Sequence, residues 1–304
     1  MKRRLIVVGA GPAGVAAALW ARDRFEVTMI ERASEPGGQL RAIHFPPPHL
    51  PGRAARDGAE LAEIYRRQLG ADGIAVRYGV AASVLEPGSR PAVRAEDGER
   101  FEGDAVLIAT GLTRRRLGVP GEREFEGRGV SASATLDRER FAGHAVLVVG
   151  GGDAAFENAL LLAEVGCAVT LAMRGEPRAG ERFLRAADAA PTIRVLHDTR
   201  VAVLLGTARL EAARLDQRGV ITELPIAGAV IKIGAVPNTS WCSRVVATDA
   251  DFVRADARGR TSLRGVWAAG DVTHPPLFAI SVAEAAAALA VNDLARAAGP
   301  AGPS

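Results

Sequence analysis

The first residues of the chain follow a pattern typical of a strand, a tight turn and a helix. Leu5 to Val8 is a short, continuous apolar run, which is typical of a strand. Glycines follow at positions 9, 11 and 14, and the alanine-rich run Val15 to Ala21 predicts a helix that begins at this turn. Glu26 to Ile30 predicts a second strand. These segments indicate the start of an α/β domain.

The same order of elements returns in the middle of the chain. Ala145 to Val149 predicts a strand, and the turn Gly150-Gly151-Gly152-Asp153-Ala154-Ala155 leads into a predicted helix over 156–165. Ala168 to Ala172 predicts the strand that follows. The chain therefore carries two glycine turns of the same kind, each between a strand and a helix.

Shorter elements are predicted elsewhere. The spacing of apolar residues predicts a helix over 57–69, and the alanine-rich segment 281–296 predicts a closing helix. The other predicted elements are short strands, at 74–76, 80–85, 92–95 and 105–108, several within 193–233, and a buried one within 265–271. The stretches 114–121 and 233–239 are predicted hinges between domains.

Composition narrows the class of protein. The chain has 304 residues, 48% of them hydrophobic, which allows substantial cores and suggests about two domains. The formal net charge is +3 and the isoelectric point about 9.3, but the 36 arginines are spread along the whole chain, so no clustered basic patch indicates a nucleic-acid partner. No apolar run approaches the roughly 20 residues of a membrane span, so we expect no membrane partner.

The two cysteines, Cys167 and Cys242, form neither a CxxC motif nor a metal-ligand spacing. A reducing, cytoplasmic setting is the simplest expectation, and we expect no redox pair between them. The five histidines offer no metal spacing either, so no metal site is predicted. His274 follows Gly270-Asp271 closely; a structural or exposed loop histidine is favoured there over one that transfers protons.

The first glycine turn predicts a dinucleotide site. Gly9, Gly11 and Gly14 form a GxGxxG motif between strand and helix, where the backbone can approach a pyrophosphate and the helix N-terminus meets its charge. Glu31 ends the second strand, 22 residues after Gly9, where a carboxylate can accept hydrogen bonds from an adenosine ribose. Strand, turn, helix and acidic residue together are more specific than the motif alone.

The second glycine turn differs at the end of its second strand. Ala172 is taken as the position equivalent to Glu31, and Arg174 and Arg178 follow it. Without a carboxylate a 2'-phosphate is not repelled, and guanidinium groups can bind it in a bidentate manner. This favours NADPH over NADH; the alternative is that both arginines are solvated surface residues.

Over nearly its whole length the chain resembles the low-molecular-weight thioredoxin reductase family. The segments that carry this resemblance are Gly9 to Gly14, Gly37 to Leu40, Ala109 to Gly111, Gly150 to Ala155, Ile233 to Thr239, and Gly270-Asp271. The resemblance implies an α/β fold with two Rossmann-like (three-layer ββα) nucleotide-binding domains, the second inserted into the first. The FAD-binding domain would be 1–114 with 236–304, and the NAD(P)H-binding domain 115–235.

The resemblance also implies site residues. For FAD they are Gly9, Gly11, Pro12, Ala13, Gly14, Glu31, Gly38, Gln39, Leu40, Val80, Ala109, Thr110, Gly111, Gly270 and Asp271. For NADPH they are Gly151, Gly152, Asp153, Ala154, Ala155, Glu157, Arg174 and Arg178. Among these, Gln39 and Leu40 would lie near the flavin, Asp271 at the ribityl chain, and Glu157 near the nicotinamide end. No residue is assigned as catalytic.

The chain departs from the family at the redox motif. Where the family has its CxxC, just before the second glycine turn, this sequence has Ser133 and Leu136 at the cysteine positions. Dithiol chemistry requires a thiolate, so a dithiol relay through this site is excluded. Asp137 matches an acidic residue of the family, but its role here is open. Gly175 stands where the family often has another arginine, which tempers the preference for NADPH.

These features predict an FAD-dependent oxidoreductase that NAD(P)H reduces and that passes electrons to something other than its own disulfide. The acceptor would be a small molecule or a small redox protein such as ferredoxin or flavodoxin. Two alternatives stay open: a non-catalytic FAD-binding sensor or scaffold, and a flavoprotein reduced by a protein donor with a vestigial NADPH site. Family resemblance also suggests a homodimer.

Overall fold

The computed structural model describes residues 2–43, 46–47, 50, 52 and 54–297, without the side chain of Leu136. The chain divides into two compact units. Unit 1 comprises the described residues of Met1–Thr113 and Val236–Ser304, and unit 2 is Arg114–Ala235.

The described residues form six α-helices and twenty strands. The helices are α1 (Pro12–Ala21), α2 (Gly58–Ala71), α3 (Ala134–Phe141), α4 (Asp153–Glu164), α5 (Glu181–Asp188) and α6 (Ile280–Ala297). The first strands are β1 (Arg3–Val8), β2 (Phe25–Glu31), β3 (Ala75–Tyr78), β4 (Ala82–Glu86), β5 (Ala92–Ala95), β6 (Arg100–Glu102), β7 (Ala105–Ile108), β8 (Leu112–Arg114), β9 (Val130–Ser131) and β10 (Ala145–Val149). The others are β11 (Ala168–Ala172), β12 (Ile193–Leu196), β13 (Thr199–Gly206), β14 (Leu210–Gln217), β15 (Val220–Pro225), β16 (Gly228–Ile231), β17 (Ala235–Pro237), β18 (Thr248–Asp249), β19 (Phe252–Val253) and β20 (Val266–Ala268). Short 3-10 helices occur at Gly38–Ala42 and Asp271–Thr273.

Unit 1 is built on a parallel sheet of five strands, in the order β20-β7-β1-β2-β3. Its first strand, β1, lies in the middle, so the connections leave it on both sides, as in a doubly wound sheet. An antiparallel sheet, β4-β5-β6, packs on one face of the parallel sheet, and α1, α2 and α6 pack on the other. This is the three-layer ββα arrangement predicted from the sequence.

Unit 2 repeats this arrangement. Its parallel sheet has the order β12-β11-β10-β16-β9, with β10 in the middle. The antiparallel sheet β13-β14-β15 covers one face, and α3, α4 and α5 cover the other. The fold class, two Rossmann-like units of α/β type, is therefore confirmed.

The continuous apolar runs are explained by burial on both faces of each parallel sheet. In β1, Leu5 and Val7 pack against the helices, whereas Ile6 and Val8 pack against the antiparallel sheet. The strand β10 alternates in the same way. Because successive side chains of a strand point to opposite faces, a strand covered on both sides must be apolar throughout.

In the part of the chain that the structure covers, no helix combines the length and the apolar character needed for a membrane crossing.

Candidate functional site

The glycine turn of unit 1 is shaped by two close backbone approaches. The Gly9 N–H donates to the Ile30 carbonyl at 2.8 Å, and a Cβ at Gly14 would stand only 1.8 Å from the Gly9 carbonyl oxygen. By contrast, no atom lies within 4 Å of the place that a Cβ would take at Gly11. Gly14 therefore allows α1 to pack on the turn, and the backbone at Gly11 is open to a ligand.

Glu31 lies at the end of β2 and is held by two backbone donors. Its Oε2 accepts the Ala10 N–H at 2.7 Å and its Oε1 accepts the Ala33 N–H at 2.8 Å, while only 8% of the residue is exposed. The first bond ties the carboxylate to the glycine turn. Each oxygen keeps a lone pair free, so the group can still accept a hydrogen bond from a ligand.

Two distant loops close on the same turn. The Gly37 N–H donates to the Ala10 carbonyl at 2.8 Å, and a Cβ at Gly38 would lie 3.3 Å from the Gly11 Cα. On the other side, a Cβ at Gly270 would lie 2.7 Å from the Ala13 Cβ. Only glycine fits at Gly270, since its φ of 80° is also unfavourable for other residues.

Gln39 and Asp271 meet although 232 residues separate them. The Gln39 Nε2 donates to the Asp271 Oδ2 at 3.2 Å. Burial raises the pKa of Asp271, and the hydrogen bond from Gln39 opposes that rise. The structure thus brings two of the predicted polar residues together beside the glycine turn.

The segment Ala109 to Gly111 is fixed by Asn238. The Thr110 Oγ1 donates to the Asn238 carbonyl and the Asn238 Nδ2 donates to the Thr110 carbonyl, both at 2.8 Å. The Asn238 side-chain oxygen also accepts the Thr113 hydroxyl at 2.8 Å. Asn238 lies in the segment Ile233 to Thr239, one of those on which the family resemblance rests. The sequence did not indicate these hydrogen bonds.

Two predicted site residues of unit 1 lie in its cores. Leu40 is 1% exposed and packs with the helices, and Val80 is 8% exposed and packs on the side of the antiparallel sheet. The Val80 N–H donates to the Glu31 carbonyl at 2.9 Å. Both side chains therefore have a packing role in this structure.

The structure corrects one correspondence between the two turns. Val8 pairs with Ile30 as Val149 pairs with Ala172, and the first glycine of each turn donates to the carbonyl of that strand residue. Ala172 therefore corresponds to Ile30, and the counterpart of Glu31 is the next residue, Met173. Counting along the sequence missed the register by one residue. The position still lacks a carboxylate, so the argument about charge is unchanged.

The loop after β11 is tied to the second glycine turn at two points. The Arg178 N–H donates to the Gly151 carbonyl at 2.6 Å, and the Asp153 Oδ1 accepts the Gly180 N–H at 2.7 Å. Asp153 therefore uses its carboxylate to hold this loop. Gly152 has no atom within 4 Å of a Cβ position, as at Gly11.

Arg174 and Arg178 are both exposed, and neither guanidinium has a hydrogen bond or ion pair to another described residue. They extend from the loop that Asp153 and Gly151 hold beside the turn. Ala155 is buried under the turn, whereas Ala154 and Glu157 are exposed on α4. The arrangement leaves two cations available to an anion at this end of unit 2.

The two positions that the resemblance assigned to cysteines lie at the start of α3. Ser133 is its N-cap residue, without a side-chain capping bond, and Leu136 lies in its first turn. Buried Asn158 anchors the helix: its Oδ1 accepts the Ala134 N–H at 2.7 Å, and its Nδ2 donates to the Ala154 carbonyl at 2.7 Å. Neither position carries a sulfur atom, and the helix that begins there is anchored by Asn158.

Neither cysteine offers a substitute thiolate. Cys167 and Cys242 are both buried and free. Burial raises the pKa of Cys167, and it raises the pKa of Cys242 to about 12. Both thiols stay protonated near neutral pH, which disfavours nucleophilic or redox chemistry at either residue.

His274 is exposed and packs edge to face between Phe252 and Phe278, with ring centroids 4.5 and 5.6 Å away. These contacts agree with the structural reading of this loop histidine. Within the described part of the chain, no cluster of His, Cys, Asp and Glu could hold a metal ion.

Sequence reasoning missed Lys232, which directly follows β16 beside the second glycine turn. Its backbone N–H donates to the Val149 carbonyl at 2.8 Å. The available signal was compositional, because the chain has 36 arginines and only two lysines.

The sequence matches a known protein family and two curated relatives over most of its length. The family model described as pyridine nucleotide-disulphide oxidoreductase matches residues 3–290. The bifunctional thioredoxin reductase/thioredoxin of Mycobacterium leprae is 35% identical over 273 residues, which cover 88% of this chain and 60% of that protein. The thioredoxin reductase of Streptomyces coelicolor is 33% identical over 298 residues, covering 95% of this chain and 92% of that one.

Solved structures agree with this match. The crystal structure of Lactococcus lactis thioredoxin reductase has a TM-score of 0.77 and 30% sequence identity, and the match covers 97% of this chain and 98% of that chain. The thioredoxin reductases that this chain resembles use FAD and NADPH.

Proposed function

The chain belongs to the pyridine nucleotide-disulphide oxidoreductase family, and from that premise we propose that it is an FAD-dependent NAD(P)H oxidoreductase whose electron acceptor is not an internal disulfide. The second half is supported by Ser133 and Leu136, which stand at the start of α3 at the positions that the resemblance assigns to the motif cysteines. When bound, FAD would take two electrons from NADPH and release them to the acceptor.

Unit 1 has the features needed to hold FAD. The open backbone at Gly11 and the N-terminus of α1 suit a pyrophosphate, and the fixed Glu31 carboxylate suits the adenosine ribose. Gln39 and Asp271, joined by their hydrogen bond, are the residues that we assign to the flavin end of the site.

Unit 2 has the features needed to hold NADPH. Gly152 leaves the same open approach at the second turn, and the loop with Arg174 and Arg178 is bonded to that turn. Two unpaired guanidinium groups favour a 2'-phosphate, and Met173 brings no negative charge against it.

The acceptor must come from outside the chain. A relay needs two thiols that can form a disulfide, and the only two cysteines are buried with raised pKa values. We therefore assign a small molecule or a small redox protein as the acceptor.

Anaerobic titration tests this proposal. The FAD-loaded protein should lose its flavin absorbance band after one equivalent of NADPH, because no second two-electron centre is present. A reductase with an intact CxxC should consume about two equivalents, since the disulfide also takes up two electrons. NADH serves as the matched control and should act less efficiently. A band that neither nucleotide bleaches would leave the non-catalytic flavoprotein as the better description.

A turnover assay separates the acceptor classes. With NADPH in excess, we expect steady oxidation in the presence of ferricyanide or a quinone, and no turnover with oxidised thioredoxin. Efficient reduction of thioredoxin would contradict the proposal, because the chain would then need a dithiol that its sequence does not supply.

A further inference from the structure

The backbone of Lys232 lies directly beside the glycine turn of unit 2. Its N–H is bonded to Val149, the last residue of the strand before the turn, and a Cβ at Gly150 would stand only 2.2 Å from the Lys232 carbonyl oxygen. The backbone at Lys232 therefore touches the first glycine of the turn. In a doubly wound sheet this edge, beyond the carboxyl ends of the central strands, is where the ligand lies.

The packing of its neighbours and its interaction with Glu157 indicate that the side chain of Lys232 lies on the α4 side of the sheet. Ile231 and Ile233 pack with the core on the side of the antiparallel sheet, whereas Val230 packs with the core under the helices. Lys232 alternates with its two neighbours, so it lies on the same side as Val230. The electrostatic interaction between Lys232 and Glu157, on α4, agrees with this direction.

The charge of Lys232 is poorly compensated. The residue is half-buried, and its ammonium has no hydrogen bond or ion pair within the described part of the chain. Burial, reinforced by repulsion from Arg114 and opposed by exposed Glu157, lowers the pKa of Lys232 to about 8. Asp153, the other acidic residue at the start of α4, already accepts the Gly180 N–H.

We propose that Lys232 is a binding residue for the nicotinamide dinucleotide, and that its ammonium contacts the pyrophosphate as this group crosses the second glycine turn. The inference rests on the proposed NAD(P)H-dependent function. A half-buried cation that faces Arg114 and lacks a close counterion favours an anionic ligand. The pyrophosphate is the anion expected beside the glycine turn, whereas the 2'-phosphate is expected at Arg174 and Arg178.

This contact predicts a pH dependence of dinucleotide affinity. Binding of an anion favours the charged form of Lys232, so affinity is full while the free protein carries the proton and falls as the pH rises past the pKa of about 8. We expect binding about tenfold weaker at pH 9 than at pH 7, from the fraction of ammonium in the free protein. An ordinary lysine would give no change over this range.

Isothermal titration of the FAD-loaded full chain with NADP⁺ tests the proposal, since the oxidised dinucleotide binds without reducing the flavin. Lys232→Met removes the charge with little change in shape and should bind NADP⁺ about tenfold more weakly at pH 7, with the pH dependence abolished. Lys232→Arg keeps the charge at both pH values and should bind equally well at both. Arg200→Met, which removes an exposed charge of the same unit, is the matched control and should resemble the wild type.

A second ligand distinguishes the loss of the pyrophosphate contact in Lys232→Met from a general disruption of unit 2. Adenosine 2'-monophosphate carries the 2'-phosphate but no pyrophosphate, so Lys232→Met should bind it as the wild type does. Equal affinity of wild type and Lys232→Met for NADP⁺ would overturn the inference, as would a pH dependence that persists in Lys232→Met or an equal loss in Arg200→Met. Failure of the wild type to bind either ligand would instead overturn the proposed function, and the inference with it.

Discussion

In each unit, a single side chain sets the polarity at the end of the strand that follows the glycine turn and its neighbouring helix, β2 in unit 1 and β11 in unit 2. Glu31 places a buried carboxylate beside the first turn, whereas Met173 places an apolar side chain at the corresponding point of the second. Arg174 and Arg178 then add positive charge that no described residue neutralises. The residue at this register position and the two arginines after it therefore give the two turns opposite polarity.

Replacing Glu31 by alanine should weaken FAD binding and lower stability. The substitution leaves the Ala10 and Ala33 N–H groups without their acceptor and removes the proposed ribose contact. Leaving the buried donors unpaired costs about 1–3 kcal/mol of stability. The lost ribose contact, a hydrogen bond to a charged group worth about 1.5–3 kcal/mol, should raise the dissociation constant of FAD by roughly 10- to 100-fold. Quenching of flavin fluorescence measures this constant. Glu26→Ala, at an exposed position of the same strand, is the control; equal effects of both substitutions would remove the special role of Glu31.

Replacing Arg178 by alanine should raise the KM for NADPH and leave the KM for NADH unchanged. A charge-assisted contact to a 2'-phosphate contributes about 1.5–3 kcal/mol, which corresponds to roughly 10- to 100-fold. Steady-state kinetics with ferricyanide as acceptor gives both values. Arg194→Ala, an exposed arginine on β12, serves as the control. Parallel increases for both nucleotides would show that Arg178 does not read the 2'-phosphate.

At the level of elements, helices are fixed by a few buried polar contacts. Asn158 of α4 bonds the start of α3, and Asp293 of α6 bonds both Arg260 and the Trp267 indole. Each partner comes from a different element, so the contact fixes a helix at a defined position. These residues determine where α3 and α6 lie, in addition to apolar packing.

Introducing cysteines at positions 133 and 136 tests whether two thiols at the start of α3 are sufficient for electron exchange with the flavin. In Ser133→Cys/Leu136→Cys the thiols would occupy the N-cap and the first turn of a helix, where the helix dipole lowers a thiol pKa. We expect the double variant to consume about two equivalents of NADPH per FAD, because the new disulfide takes up two further electrons. Single-cysteine variants should still end at one. One equivalent in the double variant would mean that α3 is not placed for exchange with the flavin.

Asp293 should make stability depend on pH. It is 4% exposed, its Oδ2 lies 2.6 Å from the Arg260 Nε, and this bond holds the pKa of Asp293 below its ordinary value. The stabilisation is present above the unfolded-state pKa of about 3.9 and is lost as the pH falls through the lower folded-state pKa.

Asp293→Asn should therefore lower the melting temperature at neutral pH, with a free-energy loss of about 1–3 kcal/mol because Arg260 is half exposed. The difference from the wild type should shrink as the pH falls from 5 to 3. Asp249→Asn, at an exposed position, should have little effect at any pH. A difference that does not change with pH would rule out the charge as its source.

The whole molecule consists of two units with separate cores. Two apolar clusters lie in unit 1, one on each face of its parallel sheet, and two others lie in unit 2 in the same way. Unit 2 is one continuous segment, and unit 1 is formed by the segments on either side of it. Each unit can therefore bury its apolar residues by itself.

Differential scanning calorimetry should show that the two units unfold separately. We expect two unfolding transitions, with FAD raising the temperature of one and NADP⁺ that of the other, because a ligand stabilises only the unit that binds it. A ligand present at about 100 times its dissociation constant contributes about 2.7 kcal/mol. Scans with each ligand alone and with both provide the comparison. A single transition that both ligands shift would indicate one cooperative unit.

The sequence by itself determined the α/β class, the two glycine turns and the absence of a CxxC spacing between its two cysteines. These are local properties: β1 and β10 are apolar because both of their faces are covered, and a turn that a ligand approaches closely needs glycine. Glu31 could also be identified from the sequence, because it comes directly after the apolar residues of the second predicted strand.

Only the tertiary structure decided which distant residues meet. Gln39 reaches Asp271 because β20 and β7 bring the last loop beside the first turn. Lys232 reaches the second turn because β16 pairs with β10, and Met173 takes the place first given to Ala172 because strand pairing sets the register. Strand order and pairing depend on packing across the whole sheet, which no local pattern specifies.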